Sequence, residues 1–115
     1  MNIYEIEEVI STLKHWRSEW ALYLITGYSC SIESAKQVPF KLYTISGCII
    51  LAFEQLKDGF FRDKLAMVML NKELEDLVKS DIFRDFDNLC KAGAFAQSTN
   101  HHIRVMFDCL GDLTK

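Results

Sequence analysis

Ile3, Ile6, Val9, Ile10, Leu13, Trp16, Trp20 and Leu24 recur at steps of three and four residues, with one adjacent pair. That period is one face of an α-helix, and it extends over about six turns. Glu5, Glu8, Lys14, Arg17 and Ser18 largely fill the other side. The early acidic residues suit the positive end of the helix dipole, and Gly27 is placed to stop the helix. A segment of this kind must bury its apolar stripe against further elements, so the rest of the chain decides between helical and mixed architectures.

Residues 28–39 read as a connection, with a short helical turn over Ser31–Gln37. Pro39, the only proline, disfavours helix at Val38 and suits the first turn of a new helix. Phe40–Asp58 is apolar nearly throughout, so periodicity alone does not separate a buried helix from strands. A strand reading pairs Lys41–Ile45 with Cys48–Phe53 across Ser46-Gly47, in keeping with the β-branched content. A helix reading takes Pro39 as the start, Gly59 as the stop, and Glu54, Gln55 and Lys57 as a polar finish. Helix is preferred, because the surroundings are helical and a lone hairpin is marginal in stability.

Phe60–Lys79 is expected to be a helix burying Phe61, Leu65, Val68, Leu70, Leu74, Leu77 and Val78. Ser80 is placed as the N-cap of a short helix from Asp81 that carries Ile82, Phe83, Phe86, Leu89 and Cys90, with Gly93 at its end. Gln97–Asn100 forms a loop and cap before a last helix of about ten residues holding Ile103, Met106, Phe107 and Leu110. The expected fold is all-α, a compact bundle of five to six helices. The alternative is α+β with a small hairpin within 40–58. The chain shows no repeat, low-complexity tract or long linker, so one domain over 1–115 is expected.

Half the residues are apolar, fourteen of them aromatic, which is ample material for a packed core. Sixteen acidic against thirteen basic residues give a formal charge of −3, opposite to the basic footprint of a phosphate-binding surface. The longest stretches without charge, Trp20–Ile32 and Leu42–Phe53, fall short of the roughly 18–20 residues a membrane span needs. Glu5, Glu7 and Glu8 stand where a secretory signal would carry positive charge. A soluble, cytoplasmic protein is expected. Cys30, Cys48, Cys90 and Cys109 form no Cys-x-x-Cys pair and sit among apolar neighbours, so they read as reduced, structural thiols.

Candidate catalytic groups do not assemble in the sequence. None of the three histidines has a carboxylate three residues before it, as di-metal bundles require. His101 and His102 are adjacent and point about 100° apart on a helix, while His15 and Glu19 read as a surface pair one turn apart. Cys109 and His102 would lie roughly 10 Å apart along a helix axis, too far for thiolate–imidazole contact. No glycine-flanked serine elbow and no glycine-rich phosphate loop is present. Neither a metal nor a cofactor is expected. Lys57, Arg62, Lys64 and Lys72 are interrupted by Asp58 and Asp63, so nucleic-acid binding is not expected either. Trp16, Trp20, Tyr23 and Tyr28 have the spacing of a core stripe, which also describes an interaction hot spot.

The one charge concentration is acidic. Glu73, Glu75, Asp76, Asp81, Asp85 and Asp87 crowd the junction around Ser80, against Lys79 and Arg84. An acidic face attracts a basic partner and speeds its arrival. In size, charge and helical content the chain resembles the small acidic helical immunity proteins of bacterial toxin systems. Such proteins bind and block a cognate toxin, often a nuclease with a basic groove. The likeness is one of format and carries no residues over. It implies a non-catalytic binding protein that neutralises or regulates a more basic protein, with the six carboxylates as candidate partner-binding residues. Two other readings are a small helical enzyme using dispersed polar residues such as His15, Glu19, His101 and His102, and a self-assembling helical protein.

Overall fold

A computed structural model describes residues 2–26, 34–91 and 99–115, with the side chains at 23–26, 34–35, 89–91 and 99 outside that description. The described residues form five helices and no strand: α1 (Ile3–Thr26), α2 (Ser34–Lys57), α3 (Lys64–Lys79), α4 (Asp81–Lys91) and α5 (Thr99–Thr114). The expected all-α bundle is the observed fold. Residues 40–57 are helix rather than hairpin, and Asp58 lies in the closing turn.

α1 follows its sequence period. Ile6, Ile10, Leu13 and Trp20 are buried and Val9 and Trp16 pack against them, whereas Ile3 at the end of the stripe is half exposed. Asn2 caps the helix: its Oδ1 accepts from the Glu5 backbone N–H at 2.9 Å, and its Nδ2 donates to the Glu5 carboxylate. The first of these bonds satisfies one of the four free N–H groups at the helix start, and the second holds the Glu5 side chain against the cap. Gly27, Tyr28, Gly93 and the Gln97–Ser98 part of the expected cap lie outside the described residues, as do the side chains of Tyr23, Leu24, Leu89 and Cys90.

α2 is the central helix and packs on all four others. Its N-terminal part corrects the sequence reading, because the helix begins at Ser34 and runs through Pro39 instead of starting there. Proline removes one ladder hydrogen bond and crowds the carbonyl four residues back, a cost of about 3 kcal/mol in a helix interior. Val38, Pro39 and Leu42 are all fully buried, and that apolar burial offsets the local cost.

Ser46-Gly47, the turn of the hairpin reading, is helix interior. The Ser46 hydroxyl donates to the Tyr43 carbonyl at 3.0 Å, and Arg17 Nε donates to the same carbonyl at 3.2 Å. The Arg17 guanidinium lies 3.8 Å from the centre of the Tyr43 ring. A Cβ at position 47 would come within 2.9 Å of Arg17 Nε, so glycine lets this α1 side chain lie against α2. Two exposed pairs, Lys14–Glu54 at 3.1 Å and Glu7–Lys57 at 3.2 Å, follow the antiparallel register of the two helices.

α2 ends as expected at Gly59, which has φ of +80°. The Gly59 N–H donates to the Leu56 carbonyl and the Phe60 N–H to the Gln55 carbonyl, the paired bonds of a Schellman cap. α3 then starts at Lys64, four residues later than expected, because Asp63 is its N-cap and accepts from the Ala66 N–H. The shifted start goes with a corrected buried face. Met67, Leu74 and Leu77 are buried and Phe61, Leu70 and Val78 pack against the core, but Leu65 and Val68 are 70% and 52% exposed.

Ser80 joins α3 to α4, as its sequence position suggests. Its hydroxyl donates to the Leu77 carbonyl at 2.6 Å and accepts from the Phe83 N–H at 3.2 Å, closing one helix and opening the next. Ser80→Ala is expected to lower stability by about 1 kcal/mol, read as the shift in a urea unfolding midpoint. α4 buries Phe83 and Phe86. α5 is longer than expected, burying Ile103, Met106, Cys109, Leu110 and Leu113. Within it Gly111 has open space around a prospective Cβ. Gly111→Ala should therefore raise stability by about 0.5–1 kcal/mol in the same assay, through lower unfolded-state entropy and better helix propensity.

These helices share one apolar core, in which Leu13, Phe53, Leu74, Phe86, Met106 and Leu110 are at most 1% exposed. α1 lies along α2, α3 along α5, and α4 packs on both α2 and α3. No helix among the described residues is long and apolar enough to cross a membrane.

Candidate functional site

α2 and α3 border a cleft whose lining residues pair in opposite chain order, so the two helices run antiparallel along it. At one end the cleft encloses about 400 Å³ between Phe40, Lys41 and Thr44 of α2 and Glu73, Asp76 and Leu77 of α3. At the other it encloses about 370 Å³ between Cys48, Leu51 and Gln55 of α2 and Ala66, Met69 and Leu70 of α3, with Asp63 at its mouth. Glu73 lines both parts, so they form one continuous surface. On α2 the lining residues recur every three or four positions, so they share one helix face.

The cleft gathers two of the six acidic residues singled out by sequence. Glu73 and Asp76 are exposed on its α3 wall. Glu75 points about 100° away from Asp76 around α3, and the Asn71 amide donates to its carboxylate at 3.1 Å. Asp81 and Asp85 are exposed one turn apart on α4, and Asp81 pairs with Arg84. Asp87 is half-buried, 3.5 Å from the Asn100 amide of α5. The stretch is therefore divided among the cleft wall, a second face of α3 that carries Glu75, the exposed side of α4 and the Asp87–Asn100 contact.

Sequence reasoning missed the apolar half of the surface. Phe40 and Leu51 are each 59% exposed and Met69 is 62% exposed, and all three border the cleft. One signal was present: α3 carries Leu65, Val68 and Met69 in addition to the stripe that fills its core face. A helix needs one apolar face for packing, and a surplus on the opposite side needs another explanation.

A second feature lies between α1 and α5. The His102 ring is 2% exposed and stacks on Trp16, with centroids 3.9 Å apart and planes at 21°. Trp20 meets the same ring edge-on at 5.6 Å, and His101 meets Trp16 edge-on at 5.7 Å. His102 Nδ1 has no hydrogen-bond partner among the described residues. Burial, with His101 and His15 adding positive charge nearby, pushes the His102 pKa down from 6.5 to about 4. His15 pairs with Glu19 at 3.3 Å on the exposed side of α1. His101 and His102 thus gather around the tryptophan stripe, and His102 serves there as a flat, neutral packing ring.

Cysteine chemistry is muted at the one buried thiol described. Burial, with Asp112 and Asp108 adding negative charge, pushes the Cys109 pKa up to about 12, so the nucleophilic thiolate is scarce at neutral pH. No group of three or more His, Cys, Asp or Glu among the described residues is arranged to hold a metal ion. No family model matches the chain, and no curated protein or solved structure is significantly similar to it.

Proposed function

We propose that this chain is a binding protein without catalytic activity that neutralises or regulates a more basic protein. The observation that carries the reading is the outer side of α3. There Leu65 and Met69, each more than 60% exposed, lie in line with Asp76, with Glu73 one turn from Met69 on the cleft side. Exposed apolar side chains give a partner area to bury, and neighbouring carboxylates select a basic partner and accelerate its approach. Asp81 and Asp85 extend the same negative field onto α4.

In its narrowest form the reading is an immunity protein or antitoxin that blocks a toxin such as a nuclease. Small size and a formal charge of −3 support that form, since carboxylates can take the place of phosphates in a basic groove. Free thiols at Cys48 and Cys109 fit a reducing, cytoplasmic setting.

The test is the association rate of a basic protein captured from the native host, with wild type compared to a variant carrying Glu75, Asp76, Asp81 and Asp85 all changed to Lys. These side chains are exposed, so the fold should survive, and circular dichroism checks that it does. Association is expected to slow by about tenfold or more at low salt, with the difference shrinking as salt rises. An equal rate for the folded variant would refute the electrostatic basis of the reading.

A further inference from the structure

We propose that the α2–α3 cleft seats one amphipathic helix of the basic partner, its apolar face on Phe40, Leu51 and Met69 and its Lys or Arg side chains against Glu73, Asp76 and Asp63. This rests on the reading of the chain as a binder of a basic protein and narrows it to one groove and one kind of ligand.

Shape argues for a helix. The cleft is bounded by two antiparallel helices and floored by buried Ile45, Met67 and Leu77, each 4–5% exposed. From Phe40 to Gln55 it extends about 22 Å along α2, the length of a helix of about fifteen residues. A groove between two helices accepts the ridge of a third, as in known helix-in-groove recognition. An extended peptide would need an open strand edge to pair with, and the described residues contain no strand.

Charge decides which helix. Among the described residues lining the cleft, Asp63, Glu73 and Asp76 stand against one cation, Lys41. A two-fold dimer would set this face on itself, placing carboxylate near carboxylate within a chain already at −3. An anionic lipid surface or a nucleic acid would meet the same repulsion. A helix with an apolar stripe flanked by cations satisfies both the exposed apolar side chains and the carboxylates.

The probe is a labelled amphipathic peptide of about sixteen residues, with leucines at helical i, i+3, i+4 spacing and lysines elsewhere. Its control carries glutamate in place of every lysine. Fluorescence anisotropy should show one-to-one binding of the Leu/Lys peptide by the full chain, at least about tenfold tighter than the control. NMR shift changes in labelled protein should concentrate at 40–55 and 63–77. Leu51→Gln and Met69→Gln replace exposed side chains and remove the apolar contact without adding charge, so both variants should keep the native melting temperature while weakening the peptide about tenfold.

Equal affinity for both peptides, shifts centred elsewhere, or unchanged binding by the two variants would overturn the proposal. So would light scattering that shows a wild-type dimer dissociated by Met69→Gln, which would assign the cleft to a second copy. Failure of the wider reading is distinguishable with the captured basic protein. If Glu75→Lys, Asp81→Lys and Asp85→Lys together weaken it but Met69→Gln does not, the cleft fails and the acidic surface stands. If neither weakens it, both fail.

Discussion

Phe53→Ala should cost about 3–5 kcal/mol, between a third and most of the stability of an ordinary domain. Phe53 is fully buried and sits on α2, the helix that contacts every other one. Truncation removes the ring's transfer free energy and leaves a cavity that the rest of the core can fill only in part, because close packing fixes the rotamers of buried side chains. The bundle cannot collapse around the loss by moving one helix, since α2 is held on several sides. Urea unfolding followed by far-ultraviolet circular dichroism measures the effect. A loss below 1 kcal/mol would mean that Phe53 is not in the packed interior.

Acid should weaken the fold through His102. In the unfolded chain this imidazole takes up a proton near pH 6.5, whereas in the folded protein it resists protonation until about pH 4. Between those values the unfolded state binds more protons, so stability falls as pH falls. The contribution is fully present above pH 6.5 and is lost progressively toward pH 4, by about 3 kcal/mol for this one group. His102→Phe keeps a flat ring against Trp16 and removes both the titration and the unpartnered Nδ1. Unfolding free energies measured at pH 7 and pH 4.5 should therefore differ less in the variant than in wild type. Identical pH dependence in the two proteins would show that His102 is solvated or paired.

Local sequence rules read α1 well, because its period continues unbroken from Ile3 to Trp20 and the solvent side is polar. They read the end of α2 and the α3–α4 junction well too, since Gly59 and Ser80 act through bonds to residues a few positions away, but they placed the start of α3 four residues early, at Phe60 rather than Lys64. They misjudged Pro39, where a real steric cost is outweighed by burial of Val38, Pro39 and Leu42 against residues distant in sequence. They also assigned Leu65 and Val68 to the core, because apolar character alone does not show which of two apolar faces of α3 points inward. The Asp63 cap fixes the helix start, and the stripe through Met67, Leu70, Leu74 and Leu77 takes the core side.

The acidic residues were visible as a cluster in sequence, but their division was not. Asp76 and Glu75 are neighbours in the chain and face different directions, while Glu73 and Asp76 converge on a cleft made only when α2 folds back along α3. The His102–Trp16 stack is similarly non-local, joining the last helix to the first. Neither feature leaves a spacing signature within one segment.

The most direct measurement is a paired pull-down from the native host, using tagged wild type and the folded Glu75, Asp76, Asp81 and Asp85 to Lys variant as baits, with the captured proteins quantified by mass spectrometry. One stoichiometric basic protein retained by wild type and lost from the variant is the expected result. The same captured proteins at the same levels on both baits, or a stoichiometric partner that is itself acidic, would contradict the account.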